Sequence, residues 1–294
     1  FFPVLGISYD EQDGMLSIPT FRQDLLRGAD IAEEVARFYG YDKIPSTLPS
    51  GSGLSGGMTW KFRVNDLIRE SMQACGYSEA MTYSFESPKA FDKCLRAEDD
   101  PCRQTVVISN PLGEDYSIMR TSLLNGMFTS LATNYNRRNQ EAALYELSNI
   151  YIPKALPLTE LPDERQTLCF GFYGHGDFFD LKGALEALLD YLGITGARQY
   201  HNTGEWTFLH PGRQAVLSCA GQRVGFLGEV HPSVVKNYSL APRTYVAQLD
   251  VEALYDHVTF DRKYTGIPKY PAVTRDLSLL MKKELPAGDV EEVI

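Results

Sequence analysis

Along the first forty-five residues the apolar and polar positions fall into two patterns. Residues 6–9 and 15–19 flank a polar stretch, 10–14, in which Asp13-Gly14 supplies turn chemistry, and this predicts a β-hairpin. Ile31, Val35 and Phe38 then recur at helical spacing and give one apolar face. Asp30 is expected to cap the start of that helix, with Glu33 three residues on completing a capping box. Gly40 supplies the left-handed stop, and Pro45 forbids resumption.

The pattern resumes after residue 58. Thr59 caps a helix whose Val64, Leu67, Ile68 and Met72 form a stripe before Gly76 ends it. Strands are expected at 81–85 and 106–109, with a helix opening at Ser87-Pro88 between them. A helix follows through Ala132, with a basic end in Asn134, Asn136, Arg137 and Arg138. Residues 144–147 and 168–173 alternate like strands of an antiparallel sheet. Asp177 opens a helix that buries Leu181, Leu185, Leu188 and Leu192 and stops at Gly193. A hairpin turns at Ala220-Gly221.

Between the two patterned regions lies a Ser/Gly/Pro-rich stretch, 46–58, which reads as a flexible linker. It contains a G-x-G-x-x-G at Gly51, Gly53 and Gly56. Dinucleotide binding needs that motif between a strand and a helix, and here a proline-containing coil precedes it, so the motif is a decoy.

Composition narrows the class. At 294 residues the chain is long enough for two domains. No apolar run approaches membrane-spanning length, and no basic leader precedes one. Cys75, Cys94, Cys102, Cys169 and Cys219 are odd in number and lack a C-x-x-C pair, so free thiols in a cytoplasmic setting are expected. A net charge of −10 argues against nonspecific wrapping of nucleic acid. His210 and His231 each precede a proline and have no ligand-spaced neighbour, which points to turn roles.

One chemical feature stands out. Asp24, Asp30, Glu33 and Glu34 crowd four carboxylates near one helix start, a repulsive density unless something positive sits among them. Two readings follow from the residues. Asp30 and Glu33 cap while Asp24 and Glu34 face water, or the set holds a hard divalent ion such as magnesium.

The run Phe21-Arg22-x-Asp24, then Asp30-Ile31-x-Glu33-Glu34-Val35-Ala36-Arg37-x-Tyr39-Gly40-Tyr41 and Ile44-Pro45, resembles a signature of the phenylalanyl-tRNA synthetase beta chain. So do Asn110-Pro111-Leu112, Met119-Arg120-Thr121-Ser122-Leu123-Leu124, the segment from Phe178 to Gly183, His210-Pro211-Gly212-Arg213, and the run from Gly225 to Pro232. The resemblance implies a fragment of a bacterial-type beta chain. It implies an α+β fold with a class II aminoacyl-tRNA synthetase-like antiparallel sheet flanked by helices. Residues 1–48 would be a truncated α+β domain, 49–58 the linker, 59–262 the catalytic-like core, and 263–294 the start of a ferredoxin-like anticodon-binding domain that opens near Pro268. It assigns Asp24, Asp30, Glu33 and Glu34 to a magnesium ion near the alpha subunit. It names as partners the alpha subunit, in an alpha2beta2 heterotetramer, and tRNA(Phe), and it has alpha rather than this chain bind ATP.

Catalysis by this chain is not expected. Adenylate formation needs cations around the ATP phosphates. The places matching the family's arginine-bearing motifs, 144–147 and 245–254, carry no arginine and have gained acids. The resemblance therefore implies a noncatalytic scaffold within a phenylalanine–tRNA ligase. Two other readings compete with it: an independent magnesium-dependent enzyme built on the acidic cluster, and an autonomous RNA-binding module.

Overall fold

The computed structural model describes all residues of the chain except Ser52, Leu54, Ser55, Ala197, Glu284 and Glu292. Part of the expected linker, at residues 52, 54 and 55, thus lies outside the described residues. The chain divides into two compact units, Phe1–Gly57 and Met58–Ile294.

In the first unit a single 3-10 turn, Phe2–Leu5, precedes strands β1 (Ser8–Tyr9) and β2 (Leu16–Ser17), which pair antiparallel with Ser8 opposite Ser17. The Asp10 N–H donates to the Met15 carbonyl at 2.9 Å, and Asp13 Oδ1 accepts from the Met15 N–H at 2.8 Å, so the Asp-rich turn folds as its composition requires. Helix α1 (Gly28–Tyr39) follows. It starts earlier than the pattern predicts. Arg27 holds the N-cap position and Asp30 lies in the first turn, where its Oδ2 accepts the N–H groups of Leu26 (2.8 Å) and Arg27 (2.6 Å). Asp30 thus satisfies orphan donors from inside the helix, reaching backwards, and Glu33 is left exposed instead of completing a box. The apolar face is only half covered: Phe38 stacks on Phe1 at 5.2 Å, while Val35 keeps 37% of its surface exposed.

The second unit opens with α2 (Trp60–Ala74), capped as expected by Thr59, whose hydroxyl accepts from the Phe62 N–H. Val64, Ile68 and Met72 are fully buried, and the helix ends at Gly76 with φ +87°. There follow β3 (Ser78–Glu79), β4 (Phe85–Glu86), α3 (Lys89–Lys93), β5 (Ile118–Met119) and α4 (Leu124–Asn136). Then come β6 (Ala142–Ile152), β7 (Asp163–Tyr173), α5 (Phe178–Tyr191), β8 (Arg198–His201), β9 (Leu209–Cys219) and β10 (Gln222–Val230). The last elements are α6 (Pro232–Tyr238), β11 (Tyr245–Asp250) and α7 (Ala287–Glu291).

Seven strands form one sheet in the order β3-β6-β7-β11-β10-β9-β8. The sheet is mixed, not wholly antiparallel as the pattern implies, because β3 runs parallel to β6. Two expected strands are absent among the described residues. Of 81–85 only Phe85 pairs, joining Glu86 in a ribbon with β5, and 106–109 contributes a single bridge from Val107 to Ile118. Met81 and Tyr83 are 93% and 70% exposed, so apolar composition there reflects surface rather than a sheet interior. Residues 268–279, where the ferredoxin-like domain is expected to open, carry no strand pairing among the described residues.

Helices cover both faces of the sheet. Tyr145, Phe170, Phe172, Leu217, Ala247 and Leu249 pack with α2 and with Leu181, Leu185 and Leu188 of α5. The alternate residues, including Cys169, Tyr173, Phe226 and Val246, pack with Met127, Phe128 and Leu131 of α4 and Val234 of α6. The period-2 alternation of the strands thus feeds two apolar layers, each fully buried Leu contributing about 1.5–3 kcal/mol.

Candidate functional site

Two of the four clustered acids, Asp24 and Glu34, are placed by one cation. Arg22 Nε and Nη2 donate to Asp24 Oδ1 (3.0 Å) and Oδ2 (2.7 Å), and Nη2 also donates to Glu34 Oε1 at 2.7 Å. Arg37 Nη2 holds the other Glu34 oxygen at 2.5 Å from one turn along α1. Hydrogen bonds from Arg22 hold the Asp24 carboxyl below its ordinary range, and those from Arg22 and then Arg37 do the same for Glu34. The guanidinium is in turn pushed upward by the two carboxylates. Asp24 and Glu34 therefore do not simply face water, and Asp30 is spent on backbone N–H groups.

A divalent ion needs several oxygens converging on one point. Here a guanidinium stands between Asp24 and Glu34, and among the described residues no group of three or more His, Cys, Asp or Glu side chains is set to hold a metal. Taken alone, the carboxylates of this chain do not fit magnesium. Arg22 is the positive group that the acid density demands. It lies in the quoted signature, but only the fold shows that it reaches twelve residues along the chain to Glu34.

In the second unit the strands that match the arginine-bearing motifs lie on either side of one strand, β6 and β11 flanking β7. Glu146 on β6 is 2% exposed and receives Arg120 Nη1 at 2.8 Å, Arg120 itself being 3% exposed. Thr82 Oγ1 donates to the other Glu146 oxygen at 2.8 Å, Arg120 Nη2 donates to Ser148 Oγ at 2.6 Å, and Arg120 Nε to the Asn149 carbonyl at 3.0 Å. Every arm of the guanidinium is engaged within the protein.

On β11, Gln248 Oε1 accepts from the Ser122 hydroxyl (2.8 Å) and the Leu123 N–H (3.1 Å), tying the strand to the start of α4. The acids gained there are also neutralised: Asp250 meets Arg165 at 3.1 Å and Glu252 meets Lys61 at 2.6 Å. The acids gained in the sequence are thus paired, and the face they would guard is packed with α4. A cavity of about 320 Å³ remains over β10 and β11, beside Trp206, and its cation, Arg223, is paired with Glu205 and lies 4.7 Å over the Trp206 ring.

The two histidines act as turn formers. His210 Nδ1 accepts from the Gly212 N–H and His231 Nδ1 from the Ser233 N–H, each at 3.1 Å, and His231 thereby caps α6.

Comparisons with known proteins bear on this arrangement. The sequence profile described as the phenylalanyl tRNA synthetase beta chain CLM domain matches residues 44–251, and that of the tRNA synthetase B5 domain matches residues 4–41. The chain is 43% identical to a phenylalanine–tRNA ligase beta subunit of Clostridium acetobutylicum over 94% of its length, and 36% identical to that of Symbiobacterium thermophilum over 96%. It covers only 35% and 33% of those two proteins, so it spans about a third of the length of the curated relatives it matches. Among solved structures, a pyrrolysyl tRNA synthetase from Desulfitobacterium hafniense superposes with a TM-score of 0.52, covering 65% of this chain and 66% of that one. At 11% identity that likeness speaks for the fold alone. On the length of the profile match and the identity to these relatives, the chain belongs to the phenylalanyl-tRNA synthetase beta chain family.

Proposed function

We propose that this chain is a noncatalytic portion of the beta subunit of phenylalanine–tRNA ligase, and that its class II-like sheet unit is a scaffold rather than an active site. The scaffold supports a catalytic alpha subunit in an alpha2beta2 assembly and helps position tRNA(Phe), while alpha binds ATP and phenylalanine, in the cytoplasm. The observation that carries the reading is the closed Arg120–Glu146 pair under α4. A site that stabilises charge on a reacting phosphate needs cations left free to meet it. Here the buried cation nearest the central strands is consumed by an internal carboxylate.

On the same reading magnesium is a shared ion. Its binding requires further oxygen ligands from the alpha chain and release of Arg22 from Asp24 and Glu34, so affinity for the isolated chain is weak. No catalytic step passes through it.

Reconstitution tests the proposal. Mixed with the matching alpha subunit, the chain is expected to co-elute as a complex, and neither component alone charges tRNA(Phe). Failure of the chain to associate, or charging by the chain alone, overturns it.

A further inference from the structure

Buried charges in this protein come with partners. Arg120 has Glu146, and Arg96 has Asp100 at 3.1 Å. Glu86, at the end of β4, departs from the pattern. It is 6% exposed, yet no ion pair closes on its carboxylate among the described residues, and the side-chain partner it has is the neutral amide of Asn125. Burial pushes its pKa up to about 7, opposed by a hydrogen bond from Asn125 and by the more distant charges of Arg120 and Arg96. Cys94 and Tyr238, which also face it, are turned toward each other at 3.2 Å, and Tyr238 further donates to Asn125 Oδ1 at 2.9 Å.

Glu86 lies on the wall of a cavity of about 370 Å³ between the β4–β5 ribbon and α4. That size suits a small organic molecule. At its mouth Tyr83 and Tyr116 meet edge to face at 5.6 Å and are 70% and 38% exposed. The two lysines of the rim are already occupied: Lys89 reaches Glu114 at 3.0 Å, and Lys93 lies 5.6 Å over the Tyr238 ring. Asp115 adds a second negative charge to the lining.

A buried carboxylate without a counter-ion in the wall, aromatic rings at the mouth and neutralised cations around them describe a receptor for a positive group. A metal ion is the poorer match, because Glu86 is the sole buried carboxylate lining the cavity among the described residues and hard ions take several oxygens. An ammonium group needs one acceptor and gains from ring faces.

We propose that the cleft between the β4–β5 ribbon and α4 binds a small organic ammonium compound, with Glu86 receiving the ammonium group and Tyr83 and Tyr116 covering the body. The cleft shares Arg120 and Thr82 with the Glu146 network described above, where the Arg120 charge is already taken by Glu146, and the proposal does not depend on the scaffold reading.

Calorimetric titration of the full 294-residue chain at pH 8 with 2-phenylethylamine, and with 2-phenylethanol as its neutral counterpart, tests this. The amine is expected to bind saturably at one site, at least tenfold more tightly than the alcohol. Glu86→Gln should remove that preference, and Tyr116→Ala, a surface change that leaves the core untouched, should weaken the amine at least threefold. Thermal melting of both variants checks that they are folded. Equal affinity for amine and alcohol, no binding of either, or amine binding unchanged in a folded Glu86→Gln or Tyr116→Ala chain overturns the proposal.

Discussion

Arg120 and Glu146 form an ion pair at 2.8 Å in which both side chains are at least 97% buried, and it sits against the strands where a synthetase sheet would need free cations. Removing one partner strands the other charge in a low-dielectric interior, at a cost of about 3–5 kcal/mol. Arg120→Met is therefore expected to lower the unfolding free energy of the second unit by about that amount. The double variant Arg120→Met with Glu146→Leu should recover most of the loss. A denaturant-melt cycle on the four proteins measures it.

The buried Glu86 gives a second expectation. Its folded pKa, about 7, lies above the unfolded carboxyl value, so the stability it permits is full at acid pH and is lost as pH rises through 7. Urea melts at pH 5.5 and pH 8.5 should show this decline, and Glu86→Gln should flatten it.

Asp24 and Glu34 behave oppositely. Arg22 depresses both folded values, so their contribution is present above the ordinary carboxyl range and fades as pH falls through the lowered values, below about pH 4. Amide exchange of α1 should accelerate there. In Arg22→Met the protection should already be reduced at pH 7, with little further change on acidification.

Gly171, near the C-terminal end of β7, admits no side chain. A Cβ there would lie 2.6 Å from the Tyr245 carbonyl oxygen and 3.4 Å from Leu131 on α4. Gly171→Ala forces β11 or α4 to move, and a loss of about 1–3 kcal/mol is expected in thermal melts. Retained stability would mean that α4 is loosely seated.

Much of this fold was legible from local signals. Thr59, Asp177 and Gly193 mark helix ends as a sequence reader would place them, because capping is decided within a few residues. Parts of β6 and β7 were visible as alternation, and the β9–β10 hairpin was visible from its Ala220-Gly221 turn. The short pairs were not. Whether 81–85 or 106–109 becomes strand depends on a partner many residues away, and apolar composition cannot say which residues find one. The acidic site was legible as a cluster and illegible as a geometry. Nothing in Asp30 itself tells whether it caps from outside the helix or from its first turn, and the Arg22–Glu34 bond spans β-turn and helix. Glu86 gave no signal at all, since its importance lies in being buried without a counter-ion.

The scaffold reading is tested most directly by ATP itself. Equilibrium dialysis of the isolated chain against labelled ATP, with and without saturating phenylalanine, is expected to show no saturable binding, and adding the alpha subunit should bring it in. Saturable, phenylalanine-dependent ATP binding by the chain alone, lost on substitution of Gln248 in the sheet's centre, would contradict the account.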